Sequence, residues 1–501
     1  MEDPSIARTM LEPLRTRFRE PLRDFLLYSR YGPRVIRLSI TGVEPKEFRK
    51  HRLEKHKPSK VIVVGSGLAG LSAAIEAADA RAHVIVLEKE SMTGGNSSKA
   101  TSGINGWGTY TQAAQNIPDD ERLFERDTHR SGIGGTTNPS LVRALSTQSA
   151  QAIHWLQQKF DIPLSVLSQL GGHSTKRTHR APPDEHGRPV PVGFLIMQTM
   201  KRYIDLYYSR KIEIRCGAKV NELLHSVDRE GIKTVIGVKV EVNGSNVDEY
   251  ADSIILATGG FGCCQSLDGL ISKYRPDLLG FPTTNGSFAQ GDGVVLGKSI
   301  GAKLIDMDKI QLHPTGFIDR MNPSNPTKIL APEAIRGCGG ILVSSKGERF
   351  VNELDLRSVV AKAILENCSP YRDESYDGPP FAWCILSKES QELFGASTLQ
   401  FYKDRLGLFD LCADISECFH YIFFSLEPDF NWLLIMLVFV RTEEMASLIG
   451  CEEETLYQTL QSYSDAKRRG TCLKTYKDIF PADVSPTSKD FVVARVTPSS
   501  K

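Results

Sequence analysis

The sequence predicts an α/β fold, and three observations predict it. Residues 61–90 read as a strand, a glycine turn, a helix and a second strand that closes on Glu88. Leu141–Phe160 repeats its apolar residues at helical spacing and reads as a helix. Two further segments read as strands. Val235–Val242 alternates from Val238 onward and ends in an Asn243-Gly244 hairpin turn, and Asp252–Leu256 is a short apolar run.

The first of these segments carries the most chemistry. An apolar run, Val61–Val64, ends in Gly65-Ser66-Gly67-Leu68-Ala69-Gly70. Gly65 permits a tight turn, Gly67 lets the backbone approach a pyrophosphate, and Gly70 lets helix and strand pack closely. The helix start then offers free N–H groups and a positive dipole end to phosphates. Glu88, about twenty residues on, is placed to accept hydrogen bonds from a ribose hydroxyl. A bare glycine turn is the competing explanation, and the flanking periodicity with its terminal acid outweighs it.

Length and composition set broad bounds. A chain of 501 residues is long enough for large cores and is expected to make two domains. Its net charge of +1 argues against a general polyanion binder, so no nucleic acid partner is expected. The ten cysteines include adjacent Cys263 and Cys264 but no CxxC, so iron–sulfur, zinc and c-type haem patterns are missing and no metal site is predicted. The cysteines read as small apolar core residues with reduced thiols.

Residues 1–58 stand apart as a basic extension. They carry Arg8, Arg15, Arg17, Arg19, Arg23, Arg30, Arg34 and Arg37, and lead into a basic stretch from Lys46 to Lys60. Leu11–Tyr28 has the spacing of a basic amphipathic helix, as in a mitochondrial presequence. Glu2, Asp3, Glu12, Glu20 and Asp24 are more acid than such peptides carry, so a cytoplasmic location is expected, with mitochondrial as the alternative. The apolar run Trp432–Val440, inside a denser block Cys418–Val440, is far short of the about twenty residues a spanning helix needs, and no membrane span is expected.

Several glycine-rich loops follow the first βαβ unit: Gly94–Ser98, Ser102–Gly106, Ala257–Gly262, Thr283–Gly286 and Gly291–Gly293. Each by itself is a turn. Together, in this order, they favour a large folded-up nucleotide such as FAD.

With these loops in view, the chain resembles the soluble flavin-dependent fumarate reductases, within the wider succinate dehydrogenase and fumarate reductase flavoprotein superfamily. The words that carry the resemblance are GSGLAGLSAA, GGNSSKATSGING, QLGGHSTKRTHR, ATGGFG, PTTNG with GDG, DMDKIQLHPTGF and APEAIRGCGGILVSSKGERFVNELDLR. They run from Val61 to about Leu365, and the likeness resumes in TEEMASLIGCEEETL and DFVVARVTP. The resemblance implies a Rossmann-like FAD-binding domain over 59–307 with an inserted α+β capping domain over 308–497.

It also implies roles. Gly65, Ser66, Gly67, Leu68, Ala69 and Gly70, with Glu88 and Lys89, would bind the adenosine and pyrophosphate half of FAD. Gly95, Asn96, Ser97 and Ser98, then Ser102 and Gly103, would run along the ribityl chain and flavin ring, and Thr258, Gly259 and Asp292 would add contacts. Membrane-bound members attach FAD through a histidine whose position is Asn96 here. No histidine lies between Glu88 and Asp127, so the resemblance favours non-covalent FAD.

A dicarboxylate needs cationic or hydrogen-bonding groups at each end, and reducing its alkene needs a hydride from reduced flavin and a proton from the opposite face. His313 in HPTG matches a family residue that binds a substrate carboxylate. Arg357 in NELDLR matches the proton donor, and Glu333 and Arg336 in PEAIRG match the relay that restores its proton. Without the resemblance, His313 reads as a structural histidine, Arg357 as a salt-bridge partner, and Glu333 with Arg336 as a surface helix pair. The expected reaction is reduction of fumarate to succinate, or of another small unsaturated dicarboxylate. Ketosteroid dehydrogenases share the cofactor fold, but HPTG and NELDLR suit a small dicarboxylate better than a sterol. Electrons are expected from a diffusible donor or a separate reductase.

Two departures from the family matter. Pro332 stands where some members have a threonine that touches substrate. After DFVVARVTP the family continues into a second carboxylate-binding histidine and a substrate arginine, whereas this chain closes on Ser499-Ser500-Lys501. Residues 498–501 are therefore read as a truncated end, and weak or no turnover is expected, with a non-catalytic flavin-binding protein as the alternative. The block 418–440 reads as an inserted stretch. A third class, a pure interaction protein, rests only on the basic extension and that apolar block.

Overall fold

A computed structural model describes residues 58–132, 137–188, 190–373, 376–412, 443–488 and 490–500. The segment Leu11–Tyr28 and the block Cys418–Val440 lie outside the described residues. Everything below belongs to the unit Ser59–Lys501.

Strand β1 (Lys60–Val64), helix α1 (Leu68–Asp79) and strand β2 (His83–Leu87) form the expected βαβ unit, with Val61 beside Val84 in a parallel pair. Helix α2 (Pro139–Phe160) matches the helix read from apolar spacing and starts two residues earlier. Asn138 caps it by accepting from the backbone N–H of Ser140 and Leu141. Helix α3 (Val192–Tyr207) follows, and β3 (Ile212–Arg215) pairs in parallel with β2. Strands β4 (Ala218–Val227), β5 (Lys233–Val242) and β6 (Ser245–Tyr250) make an antiparallel meander. Its hairpin turns at Asn243 and Gly244, whose φ values of 51° and 76° are those the dipeptide was expected to supply. Strand β7 (Ser253–Leu256) then returns to β1, giving the parallel order β7-β1-β2-β3.

The unbroken apolar runs of β1 and β2 now have a cause, because both faces of the sheet are covered. Val61, Val63, Val84 and Val86 pack against α1, α2 and α3. Their alternate neighbours, Ile62, Val64, Ile85 and Leu87, pack against Val220, Leu223, Val238 and Val240 of the meander.

The second half holds α4 (Asp292–Ser299), β8 (Leu312–Phe317), β9 (Ile329–Leu330), α5 (Glu333–Gly337), β10 (Ile341–Val343) and α6 (Arg357–Asn367). It continues with β11 (Ala382–Leu386), β12 (Asp410–Cys412), α7 (Glu453–Arg469) and β13 (Phe491–Ser500). The strands form an antiparallel sheet in the order β9-β8-β13-β11-β10, with β12 also on β13. Strand β13 serves two cores. Val492, Ala494 and Val496 join Val360 and Ile364 of α6, while Phe491 and Val493 join Leu456, Leu460 and Tyr463 of α7.

The boundary drawn after residue 497 falls inside β13. Ser499 sits opposite His313 and Ser500 opposite Leu312, and both serines are fully buried. The Ser500 carbonyl accepts from Thr284 N, Thr283 Oγ1 and Asn285 Nδ2 at 3.1, 3.1 and 3.2 Å, and its Oγ donates to the Gly262 carbonyl at 2.8 Å. Residues 498–500 thus continue the strand and lock it to the 262–285 loops.

Candidate active site

At the C-terminal ends of β1, β2 and β7 lies a cavity of about 550 Å³. The turn Gly65–Ala69 forms its floor, Glu88 and Lys89 one wall, and Thr258, Gly259 and Asp292 another, with Gly95, Asn96 and Ser97 closing over the turn. Steric facts explain the glycines. A Cβ on Gly70 would stand 1.9 Å from the Gly65 carbonyl oxygen, and one on Gly65, whose φ is +103°, would stand 2.4 Å from the Ala257 oxygen. The turn is therefore pressed at once onto its own helix and onto the end of β7. Ser97 Oγ accepts from Leu68 N at 3.1 Å, which ties the second glycine-rich loop to the first turn of α1.

Polar groups on the walls are mutually positioned. Glu88 is buried and accepts from Ser66 N at 3.0 Å and Ser66 Oγ at 2.6 Å on one oxygen, and from Glu90 N at 3.0 Å on the other. Lys89 Nζ meets Asp292 Oδ2 at 2.5 Å, joining the end of β2 to the first turn of α4. Asn96 uses both ends of its amide on the 283–286 loop, donating to Asn285 Oδ1 at 2.8 Å and accepting from Gly286 N at 3.0 Å.

The structure thus brings Gly65, Ser66, Gly67, Leu68, Ala69, Glu88, Lys89, Gly95, Asn96, Ser97, Thr258, Gly259 and Asp292 to one cavity. Gly70 lies beneath it as a packing residue. Ser102 and Gly103 are not on its wall. Ile104 pairs with His179, and this draws Gly103 onto the short strand Thr178–Arg180, where a Cβ would stand 2.5 Å from the His179 oxygen. Sequence reading missed Ala218–Val220, Phe288 and Gly297 on the wall. Only the GDG loop hinted at this side, because the start of β4 has no motif.

The residues fit an FAD. The start of α1 faces the cavity without side-chain obstruction at Gly67, a Cβ on Gly259 or Gly260 would meet nothing within 4 Å, and Val64, Leu256 and Val220 give apolar wall. Among the described residues no group of three or more His, Cys, Asp or Glu is arranged to hold a metal, no helix is long and apolar enough to cross a membrane, and the cysteines are free thiols.

A second cluster sits in the antiparallel half. Arg357, the first residue of α6, donates from Nε and Nη2 to Glu333 Oε2 at 2.9 and 2.5 Å. One turn along α5, Arg336 Nη2 lies 3.9 Å from Glu333 Oε1, and its Nη1 donates to the Glu353 carbonyl at 2.6 Å. Glu333 is 2% exposed and Arg336 1%, so the surface-pair reading fails. Burial raises the Glu333 pKa, but Arg336 and Arg357 more than offset it and hold the carboxyl below its usual range. Burial pulls the Arg336 guanidinium down from its ordinary value. Arg357 keeps its side chain about a third exposed.

His313 is buried in β8, the strand against which α6 packs, and its Nδ1 accepts from Thr315 N at 3.2 Å. Beneath Arg336, Glu353 is held by Arg349 at 2.8 and 2.9 Å and by Lys477 at 2.8 Å, all buried. Burial raises the Glu353 carboxyl, yet Arg349 and Lys477 bring it to about 2. A loop without an assigned role, Gln169–His173, also reaches this cluster: a Cβ on Gly171 would stand 2.7 Å from Glu333 Oε1.

Residues 60–500 match the family model described as FAD binding domain. Fumarate reductase 1 of Saccharomyces cerevisiae is 42% identical over 315 residues, covering 62% of this chain and 64% of that protein. Fumarate reductase of Schizosaccharomyces pombe is 36% identical over 412 residues, covering 82% and 71% respectively. The chain therefore spans about two thirds of the length of these relatives. Among solved structures, the open conformation of a flavocytochrome c3 fumarate reductase superposes with a TM-score of 0.59 at 26% identity, over 91% of this chain and 70% of that one.

Proposed function

Given that this chain belongs to the FAD-binding-domain family, we propose that it reduces fumarate to succinate with non-covalent FAD. Bound and reduced, the flavin supplies hydride to one alkene carbon. The chain's own residues do the rest. The glycine turn at the start of α1 would hold the diphosphate, and Glu88 the ribose. Non-covalent attachment is supported by Asn96, which stands at the family's histidine position and uses its amide on Asn285 and Gly286.

The single observation that carries the catalytic reading is the contact of Arg357 with Glu333. A guanidinium rarely gives up a proton. It becomes a usable donor when a group in direct contact can relay a proton back to it, and Glu333, which Arg336 and Arg357 hold ionised, is free to accept a proton and hand it on. In this reading an Arg357 N–H gives its proton to the second alkene carbon, Glu333 takes a proton from Arg336 as it passes one to the neutral Arg357, and a proton from water restores Arg336. His313 would bind one carboxylate of the substrate. Electrons come from a diffusible donor or a separate reductase, in the cytoplasm or, alternatively, in mitochondria.

The test is direct. The full chain is purified, acid-released flavin is measured, and fumarate reduction is assayed with an artificial reduced donor. Flavin with turnover supports the proposal. Flavin without turnover leaves a non-catalytic flavin-binding protein, and a colourless folded chain removes both.

A further inference from the structure

Arg336 is held by hydrogen bonding at one point. Its Nη1 donates to the Glu353 carbonyl at 2.6 Å, while its Nε and Nη2 are buried with no hydrogen-bond partner among the described residues. That bond sets where Nη2 stands, 3.9 Å from Glu333 Oε1. The proton relay therefore depends on where the chain carries the Glu353 carbonyl. The same segment, Glu353-Leu354-Asp355-Leu356, leads straight into Arg357, so the place of Glu353 bears on both arginines.

The side chain of Glu353 fixes that place. Oε1 accepts from Arg349 Nε at 2.8 Å and from Leu342 N of β10 at 3.3 Å. Oε2 accepts from Arg349 Nη2 at 2.9 Å and from Lys477 Nζ at 2.8 Å. Arg349 and Leu342 are near neighbours in the chain, whereas Lys477 arrives from 124 residues away. It stands on the loop after α7, where its carbonyl accepts from Cys472 N at 2.8 Å and its ammonium lies 5.9 Å from the Tyr463 ring. Charge does not call for it. Arg349 already balances Glu353, and a second enclosed cation adds a desolvation cost. What Lys477 adds is a fixed strut from the α7 loop to the carboxylate.

We propose that Lys477 is a positioning residue of the proton relay: by holding Glu353 from the loop after α7, it fixes the carbonyl that keeps Arg336 within reach of Glu333. This rests on the proposed function for the reaction, and on the bonded path Lys477–Glu353–Arg336 for the residue.

The test uses Lys477→Met in the flavin-loaded full chain. Methionine fills the space of the lysine stem and leaves Arg349 and Glu353 as a balanced pair, so the variant is expected to fold and keep its flavin. Misplacing a preorganised group by about an ångström costs up to ~10²-fold, and kcat for fumarate is expected to fall by about 10- to 100-fold with KM unchanged. Slower proton return should also make the solvent deuterium isotope effect on kcat larger than in wild type. Lys477→Gln, which keeps an N–H donor without the charge, is expected to lie between the two. Leu460→Ala, in the core that α7 shares with β13, loosens the same region without touching the path and is expected to keep the wild-type kcat per bound flavin. An unchanged kcat in Lys477→Met, or an equal fall in Leu460→Ala with no change in isotope effect, overturns the role of Lys477 and leaves the proposed function standing. If the wild-type chain reduces no fumarate, both fall.

Discussion

Arg357 turns both Nε and Nη2 onto one oxygen of Glu333, at 2.9 and 2.5 Å, and leaves the other 3.9 Å from Arg336 Nη2. The planar guanidinium fork makes this possible, and a lysine ammonium would not reproduce it. Replacing Arg357 by Ala or by Lys is expected to lower fumarate reduction by about 10²–10⁴-fold while the purified protein keeps its flavin. Steady-state rates and flavin content, measured on the same preparation, check this. Retained turnover in either variant shows that the proton-donor assignment is wrong.

Gly70→Ala is expected to lose flavin and to unfold more easily. Its Cβ would enter the Gly65 carbonyl at 1.9 Å, and both partners are backbone in a helix–strand contact that has no slack. The cost is about 1–3 kcal/mol of stability, read from urea unfolding, together with a flavin-to-protein ratio well below wild type.

Glu353→Gln leaves Arg349 and Lys477 buried with no counter-charge, since Lys477 and Glu353 are fully enclosed and Arg349 nearly so. Breaking such a cluster from one side costs about 3–5 kcal/mol. A fall in melting temperature with a lower unfolding midpoint in urea is the expected result, and unchanged stability would mean that the cluster contributes nothing net.

Acid stability follows from two depressed pKa values. Glu353 titrates at about 2 in the fold against an ordinary 4.5, so its contribution is complete above pH 4.5 and is lost as pH falls toward 2. His173 titrates at about 4 against 6.5, because the unfolded chain takes up the proton first; its contribution is complete above pH 6.5 and is lost as pH falls toward 4. Unfolding free energy measured against pH should therefore begin to fall below pH 6.5, and His173→Gln should flatten the curve between 6.5 and 4. A variant curve parallel to wild type over that window contradicts the assignment.

Much of the first half was legible in the sequence because its rules are local. Unbroken apolar runs announced strands, helical spacing announced α2, and Asn243-Gly244 announced the hairpin. The glycine turn and Glu88 could be placed at one cavity from spacing, since a βαβ unit brings its strand ends together within a few dozen residues. Loops further apart were harder. Ser102 and Gly103 belong to the same stretch as Asn96 and Ser97, yet pairing with Thr178–Arg180, some seventy residues away, takes them off the cavity wall.

By itself, then, the sequence determined the βαβ nucleotide unit, the strand and helix periods around it, and the residue types able to hold a dinucleotide. Only the tertiary structure decided that Glu333 and Arg336 are buried, that β13 runs through Ser500 at the centre of its sheet, and that His173 lies against the Glu333 cluster. The physical reason is one of range. Propensity and side-chain period act within a turn or a strand, whereas enclosing a carboxylate with its cations depends on groups the chain brings together from further off: Glu333 meets Arg357 across 24 residues and Glu353 meets Lys477 across 124.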